Sequence, residues 1–163
     1  MKKFLEQSFE TKIDYKTPIF LEDSPKSLNE YNEIQKNHKS VSPEEVKELL
    51  KREDQTSFEL KAWWIAKMNE HKFPLREKMT CFWHNHYVST FQKVKVNYWV
   101  FQHNQILPEN AFGNFKTLTK KSIQSNAMVR YPDNVDNRKD KFNENLSRKL
   151  LELFTLGIGN YTE

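Results

Sequence analysis

An all-α fold follows from three features of the sequence. Helix-start signals recur along the chain, apolar residues repeat at helical spacing, and no stretch of useful length alternates as a half-buried strand does. The expectation is a single domain of five to six helices with an aromatic-rich core and a loosely structured N-terminal lead-in. A chain of 163 residues suits one domain, and a domain of this size buries roughly 70% of its unfolded surface. Hydrophobic content is only 37%, but 4 Trp, 6 Tyr and 12 Phe compensate, since each ring buries a large area.

Residues 1–40 read as the irregular lead-in. Ile13, Tyr15, Ile19, Phe20 and Leu21 are scattered among charges, and Pro18 and Pro25 interrupt them. A short helix around Leu28–Lys36 is the one regular element expected there. The helical domain is expected over 41–163. It opens at Ser42-Pro43-Glu44-Glu45, with serine as N-cap, proline at N1 and Glu45 closing a capping box. Val46, Leu49 and Leu50 supply the apolar face. Thr56-Ser57-Phe58-Glu59 reads as a second capping box, opening a helix that holds Leu60, Trp63, Trp64, Ile65 and Met68 and closes at His71 and Phe73. Pro74 suits the first turn of the third helix, Leu75–Val88. A fourth helix is expected over about Val94–Ile106, stopped by Pro108. A fifth spans about Ala111–Ser125, followed by one more turn, Asn126–Tyr131. Residues 133–140 form a loop rich in Asn and Asp. A sixth helix runs from an Asn143 N-cap to Leu156. Gly157 then takes the left-handed position after it, and Ile158 packs back on the last turn.

Composition removes several function classes. One cysteine forbids an internal disulfide, and no run of about 18 apolar residues exists to span a membrane. Glycine occurs only at 113, 157 and 159, which excludes a P-loop or dinucleotide fingerprint. Glu6, Gln7 and Glu10 interrupt the basic start Met1-Lys2-Lys3, so no export signal is read and a cytoplasmic location is expected. The net charge is +4. Residues 1–60 hold 10 basic and 13 acidic groups, and residues 115–150 hold 9 and 4. That basic excess suggests weak binding of an anionic partner at 115–150, but it is too modest for the clustered stripe of a nucleic-acid face.

The chemistry-bearing residues fall in two places. His84 and His86 lie in the third helix. At 100° per residue they point about 200° apart, so one ion cannot take both while the helix is intact. With Leu75, Met79, Phe82 and Trp83, His86 occupies the apolar stripe, and the expected role is a core histidine bonded at both ring nitrogens. His84 faces the other way, beside Glu77 and Thr80. The second place is the ladder Glu144, Arg148 and Glu152, at i, i+4 and i+8. Its plain reading is two ion pairs. The two glutamates sit about 12 Å apart along the axis, too far to share an ion. Cys81 and His84 at i, i+3 allow a thiolate–imidazolium pair, but helical cysteine is more often a small hydrophobe.

Two readings result. The first is a structural or interaction domain without independent catalysis, with Trp63, Trp64, Phe82, Trp83, His86, Asn143 and Gly157 as its framework and no cofactor. The second is a metal-assisted hydrolase or oxidoreductase, which would need a divalent metal. Its ligands would be drawn from His84, His86, Glu144 and Glu152, and its catalytic groups from His84, Glu144, Arg148 and Asn85.

Three segments also resemble a bacterial family, the domain-of-unknown-function family numbered eighteen hundred. They are Trp63-Trp64 with Leu75–Val88 (WW … LREKMTCFWHNHYV), Gly113-Asn114-Phe115, and Asn143–Glu163 (NENLSRKLLELFTLGIGNYTE). The resemblance covers roughly residues 60–163. It implies a mostly helical protein of unestablished activity, often exported, and usually longer than this chain. On that basis residues 41–163 are expected to be part of a larger family domain cut short at its C-terminus, whose remainder, or another protein, is the partner. Two departures bear on chemistry. Ser147-Arg148-Lys149 stands where the family has Ala-Arg-Glu, so Lys149 removes a carboxylate. Cys81 stands where an aliphatic residue is usual, which argues against a shared nucleophile.

Overall fold

A computed structural model of the chain describes residues 2–10, 13, 15–38, 42–70, 74–131 and 145–162. Among them there is no strand. The helices are α1 (Lys2–Glu10), α2 (Leu28–His38), α3 (Pro43–Glu70), α4 (Pro74–His86), α5 (Phe91–Val94), α6 (Asn97–Glu109), α7 (Phe115–Gln124), α8 (Asn126–Arg130) and α9 (Asn145–Lys149). Six of these have seven residues or more. A 3-10 turn, Ile19–Leu21, precedes α2, and α9 runs straight into a π-helical segment, Leu150–Thr155.

The helix starts obey local chemistry. Ser42 and Glu45 form the expected capping box: Glu45 N–H donates to Ser42 Oγ at 3.3 Å, and Ser42 N–H to Glu45 Oε2 at 3.0 Å. A related cap at Ser27 and Glu30 starts α2: Glu30 N–H donates to Ser27 Oγ at 3.2 Å, and the Glu30 carboxylate accepts from Lys26 N–H at 2.8 Å. That Ser-x-x-Glu signal is plain in the sequence. Asn114 caps α7, accepting from Thr117 N–H at 3.2 Å, and Ser125 caps α8, accepting from Met128 N–H at 3.3 Å. Gly157 has φ +84° and its N–H donates to Leu151 O at 3.0 Å, the expected left-handed exit.

Several expectations change. Thr56 opens no helix, because α3 runs unbroken from Pro43 to Glu70. Its hydroxyl donates back to Arg52 O at 3.0 Å, the habit of a threonine inside a helix. The expected helix Val94–Ile106 corresponds to α6, which starts at Asn97, after Lys95 with φ 63° has ended the short α5, and which runs through Pro108 to Glu109. Ile65 is 61% exposed, Phe82 56% and Ile158 80%, so none of the three packs into the core as their phases suggested. Asn143, Glu144, His71 and Phe73 lie outside the described residues.

The hub is α6. It buries Asn97, Trp99, Phe101, His103, Asn104, Leu107 and Pro108, a set that covers more than half of its circumference, a wider stripe than a surface helix presents. Helices α3, α4, α5, α7 and α8 all pack on it, and three core clusters surround it. Tyr87, Leu107, Leu118, Met128 and Phe154 form one, with Trp83, Ile106 and Leu150 packed against it. Val94, Val96, Trp99 and Ala127 form the second. Leu21, Leu60 and Phe101 form the third, flanked by Trp63 and Trp64.

The N-terminal segment is tied to this hub. Arg76, buried at the start of α4, donates to Pro108 O at 2.8 Å, Ser8 O at 3.0 Å and Phe9 O at 2.8 Å. Its guanidinium also lies 4.9 Å from the Phe112 ring centroid. One side chain therefore joins α1 to both α4 and the end of α6. Tyr15 docks beside it: its hydroxyl donates to Glu77 Oε1 at 2.9 Å, and its ring meets Trp63 and Trp64 edge-on at 5.5 and 5.0 Å. Among the described residues no helix is long and apolar enough to cross a membrane.

Candidate functional site

Helix α4 separates two environments, and its two histidines go one to each. On one face, His86 Nε2–H donates to Phe154 O at 3.0 Å, and the ring meets Tyr87 edge-on at 4.6 Å. The π-helical segment is held on this face by Phe154 and Leu150. His86 is half-buried rather than fully enclosed.

The residue that fills the role expected of His86 is His103 on α6. It is fully buried, with Nε2 at 2.8 Å from Tyr87 O and Nδ1 at 2.9 Å from Ser125 Oγ. The Tyr87 carbonyl can only accept, so Nε2 carries the proton; Nδ1 faces Ser125 Oγ, whose hydroxyl donates to Ser122 O at 2.7 Å. Burial pushes its pKa down to about 4. In the sequence, His103 stood out only as part of the apolar pattern of its helix.

The other face of α4 lines a cavity of about 520 Å³, open on one side. Leu60, Lys61, Trp64, Ile65 and Met68 of α3 form one wall. Glu77, Thr80, Cys81, His84 and Asn85 of α4 form the second. Phe91 of α5 with Asn97, Val100, Asn104 and Leu107 of α6 close it. Most of this surface is apolar. The helical phasing that grouped His84 with Glu77 and Thr80 is realised here. The volume falls within the roughly 300–1,000 Å³ range of small-molecule sites.

Within the cavity His84 is distinctive. Burial holds its pKa below the ordinary histidine value, so the imidazole is neutral at pH 7. Neither ring nitrogen has a hydrogen-bond partner among the described residues. The Cys81 thiol is pushed up, first by burial and then by the Glu77 charge, away from thiolate. Glu77 is itself buried and accepts the Tyr15 hydroxyl. Burial, then the Glu77 charge, pushes the Tyr15 phenol well above its usual range. Thr80 is engaged as well, its hydroxyl donating to Arg76 O at 2.9 Å. Polar atoms of the wall residues Trp64 (Nε1), Ser89 (Oγ), Asn97 (Oδ1) and Asn104 (Oδ1) are buried with no partner among the described residues. Such atoms each cost about 1–3 kcal/mol when left unpaired.

Among the described residues, the candidate metal and catalytic residues do not come together. Arg148 Nη1 lies 3.3 Å from Glu152 Oε2, the expected i, i+4 pair, and Tyr161 donates its hydroxyl to Glu152 Oε1 at 2.8 Å. Neither Arg148 nor Glu152 reaches the cavity that holds His84. Among the described residues, the meeting of His84 with Arg148 or Glu152 that the metal-assisted alternative needed is therefore not found. The C-terminal helix is packed through Phe154 on the His86 side instead. Glu144 is outside the described residues. Among the described residues no three His, Cys, Asp or Glu side chains form a metal-binding group. Asn85 is exposed at the cavity wall. In the basic stretch 115–150, Lys116, Lys120, Lys121 and Arg148 are exposed.

Sequence reasoning assigned Trp64 and Met68 to the core and did not foresee that Asn97 and Asn104 would face the same space. A single signal was available: His84, Thr80 and Glu77 share one face of α4, too polar for the core and too apolar in its surroundings for open solvent.

The family model described as Protein of unknown function (DUF1800) matches residues 1–163, and the chain belongs to this family. The match takes in the N-terminal residues that the three sequence motifs did not reach. No curated protein and no solved structure matches the chain.

Proposed function

We propose that the chain is a small-molecule-binding domain without chemistry of its own, and that its site is the cavity between α3, α4 and α6. One observation carries this reading: a half-open, mostly apolar cavity of about 520 Å³ whose wall presents a neutral imidazole with no protein partner among the described residues. Burial of an apolar surface supplies affinity, and a few placed polar groups supply orientation. Binding is favoured over catalysis by the state of the neighbouring groups. The Cys81 thiol is held away from its nucleophilic form. Glu77, a carboxylate on the same face of α4, lies seven residues before His84, about 10 Å along the axis, and is engaged by Tyr15. The imidazole therefore has no carboxylate beside it to orient it as a catalytic base.

The neutral fluorophore N-phenyl-1-naphthylamine provides the test. It brightens in apolar surroundings, and it is expected to bind saturably with one site per chain. Cys81→Trp places an indole in the cavity from a position exposed enough to accept it. That variant is expected to keep the thermal midpoint of the natural chain and to lose probe binding at least about tenfold. Absence of saturable binding, or equal binding by natural chain and variant, would remove the cavity as the site.

A further inference from the structure

Resting on that reading of the cavity, the charges around it narrow what it can hold. Among the described residues Lys61 is the one cation on the wall. It is exposed, and its ammonium lies 5.0 Å above the ring of Phe58, which points to solvent. An anion inside the cavity would give up its hydration with no cation to replace it. A cation gains little either, because the buried Glu77 carboxylate already has the Arg76 guanidinium close by and accepts the Tyr15 hydroxyl. The interior offers instead the indole of Trp64, the ring of Phe91, and the aliphatic surfaces of Leu60, Val100 and Leu107. These suit a body that is apolar and at least partly planar. A neutral imidazole presents one N–H donor and one lone pair. A hydroxyl group, also one donor and one acceptor, complements either nitrogen.

We infer that the cavity selects an uncharged aromatic alcohol, with its ring system between α3 and α6 and its hydroxyl on His84. Lys61 takes no part, and His84 is the residue that sets specificity. The burial that keeps His84 neutral is consistent with this, since an imidazolium would lose the acceptor.

A matched series separates the alternatives. Naphthalene, 2-naphthol, 2-naphthoate and 2-naphthylmethylammonium share one ring system and differ in a single group. Each is titrated at pH 7.5 against bound N-phenyl-1-naphthylamine. The naphthol is expected to displace the probe at about tenfold lower concentration than naphthalene or either ion, the size of one desolvated hydrogen bond. His84→Phe is expected to erase the advantage of naphthol over naphthalene. His84→Gln, which retains a donor and an acceptor, is expected to keep most of it. Equal or tighter binding of the naphthoate or the ammonium overturns the inference, as does a naphthol advantage that survives His84→Phe. Either result leaves the cavity standing as a site of another ligand class. If the probe itself does not bind, the cavity reading has failed instead.

Discussion

Replacing His103 by glutamine should remove most of one component of the protein's acid sensitivity. His103 is fully buried, and its pKa is about 4 against 6.5 in the unfolded chain. The unfolded state therefore takes up this proton first as pH falls. The sign is that of a depressed histidine: its contribution to stability is fully present above pH 6.5, declines from there toward pH 4, and is level below. A shift of this size corresponds to about 2 kcal/mol lost by pH 5 and about 3 kcal/mol by pH 4. His84 shifts in the same direction and Glu53 is raised by burial, so the natural chain's full pH profile mixes several groups. The difference between natural chain and variant isolates one. Glutamine can donate to Tyr87 O, yet it does not titrate. Urea unfolding of both proteins at pH 7.5, 6.5, 5.5 and 5.0 gives that difference directly. Whatever offset the substitution introduces at pH 7.5, the stability gap should move by about 2 kcal/mol in the variant's favour by pH 5. A gap that stays constant with pH would refute the reasoning. So would an imidazole resonance for His103 that titrates near pH 6.5 in the folded protein.

Other consequences are simpler to read. Arg76→Met keeps the length of the side chain but leaves the carbonyls of Ser8, Phe9 and Pro108 without their donor. It should cost about 3 kcal/mol in chemical denaturation and make α1 the first site of proteolysis; an unchanged cleavage pattern would count against the clamp. Ser27→Ala and Ser42→Ala each remove a cap and should cost about 1 kcal/mol, whereas Thr56→Ala should change stability by less than about 0.5 kcal/mol or raise it. Equal losses at all three positions would show that α3 starts afresh at Thr56. Gly157→Ala forces a β-carbon into φ +84° and should cost about 1 kcal/mol in thermal or urea unfolding; a neutral result would remove the left-handed cap from the account.

Local signals in this chain were legible where the chemistry is local. Ser42 and Glu45 satisfy one another within a single turn, as do Asn114 and Thr117, and the left-handed exit at Gly157 is as local. Thr56 shows the limit. Its sequence signature equals that of Ser42, but the residues before it are good helix formers, and the threonine instead bonds back to Arg52 O. Phasing placed His84 and His86 on opposite faces, and they are. It could not tell which histidine would find two partners, because those partners, Tyr87 O and Ser125 Oγ, come from elsewhere in the chain. Phe82 looked like core because phase records only a direction, while burial needs a neighbour in that direction. The cavity was out of reach for the same reason. It exists because α3 and α4 both pack on α6 and leave space between them, a fact of helix positions rather than of any helix's own sequence. Arg76 and Glu77 were equally hidden: adjacent opposite charges usually mean solvent, and here each meets a partner from the N-terminal segment.

The most direct test of the central claim is to see a ligand in the cavity. Crystals of the protein grown with 6-bromo-2-naphthol would report the position of the ring through the anomalous signal of bromine. The account predicts one strong bromine peak between Trp64 and Val100, with the hydroxyl oxygen in hydrogen-bond range of a ring nitrogen of His84. Bromine found only on the outer surface, or none at all at saturating ligand, would contradict it.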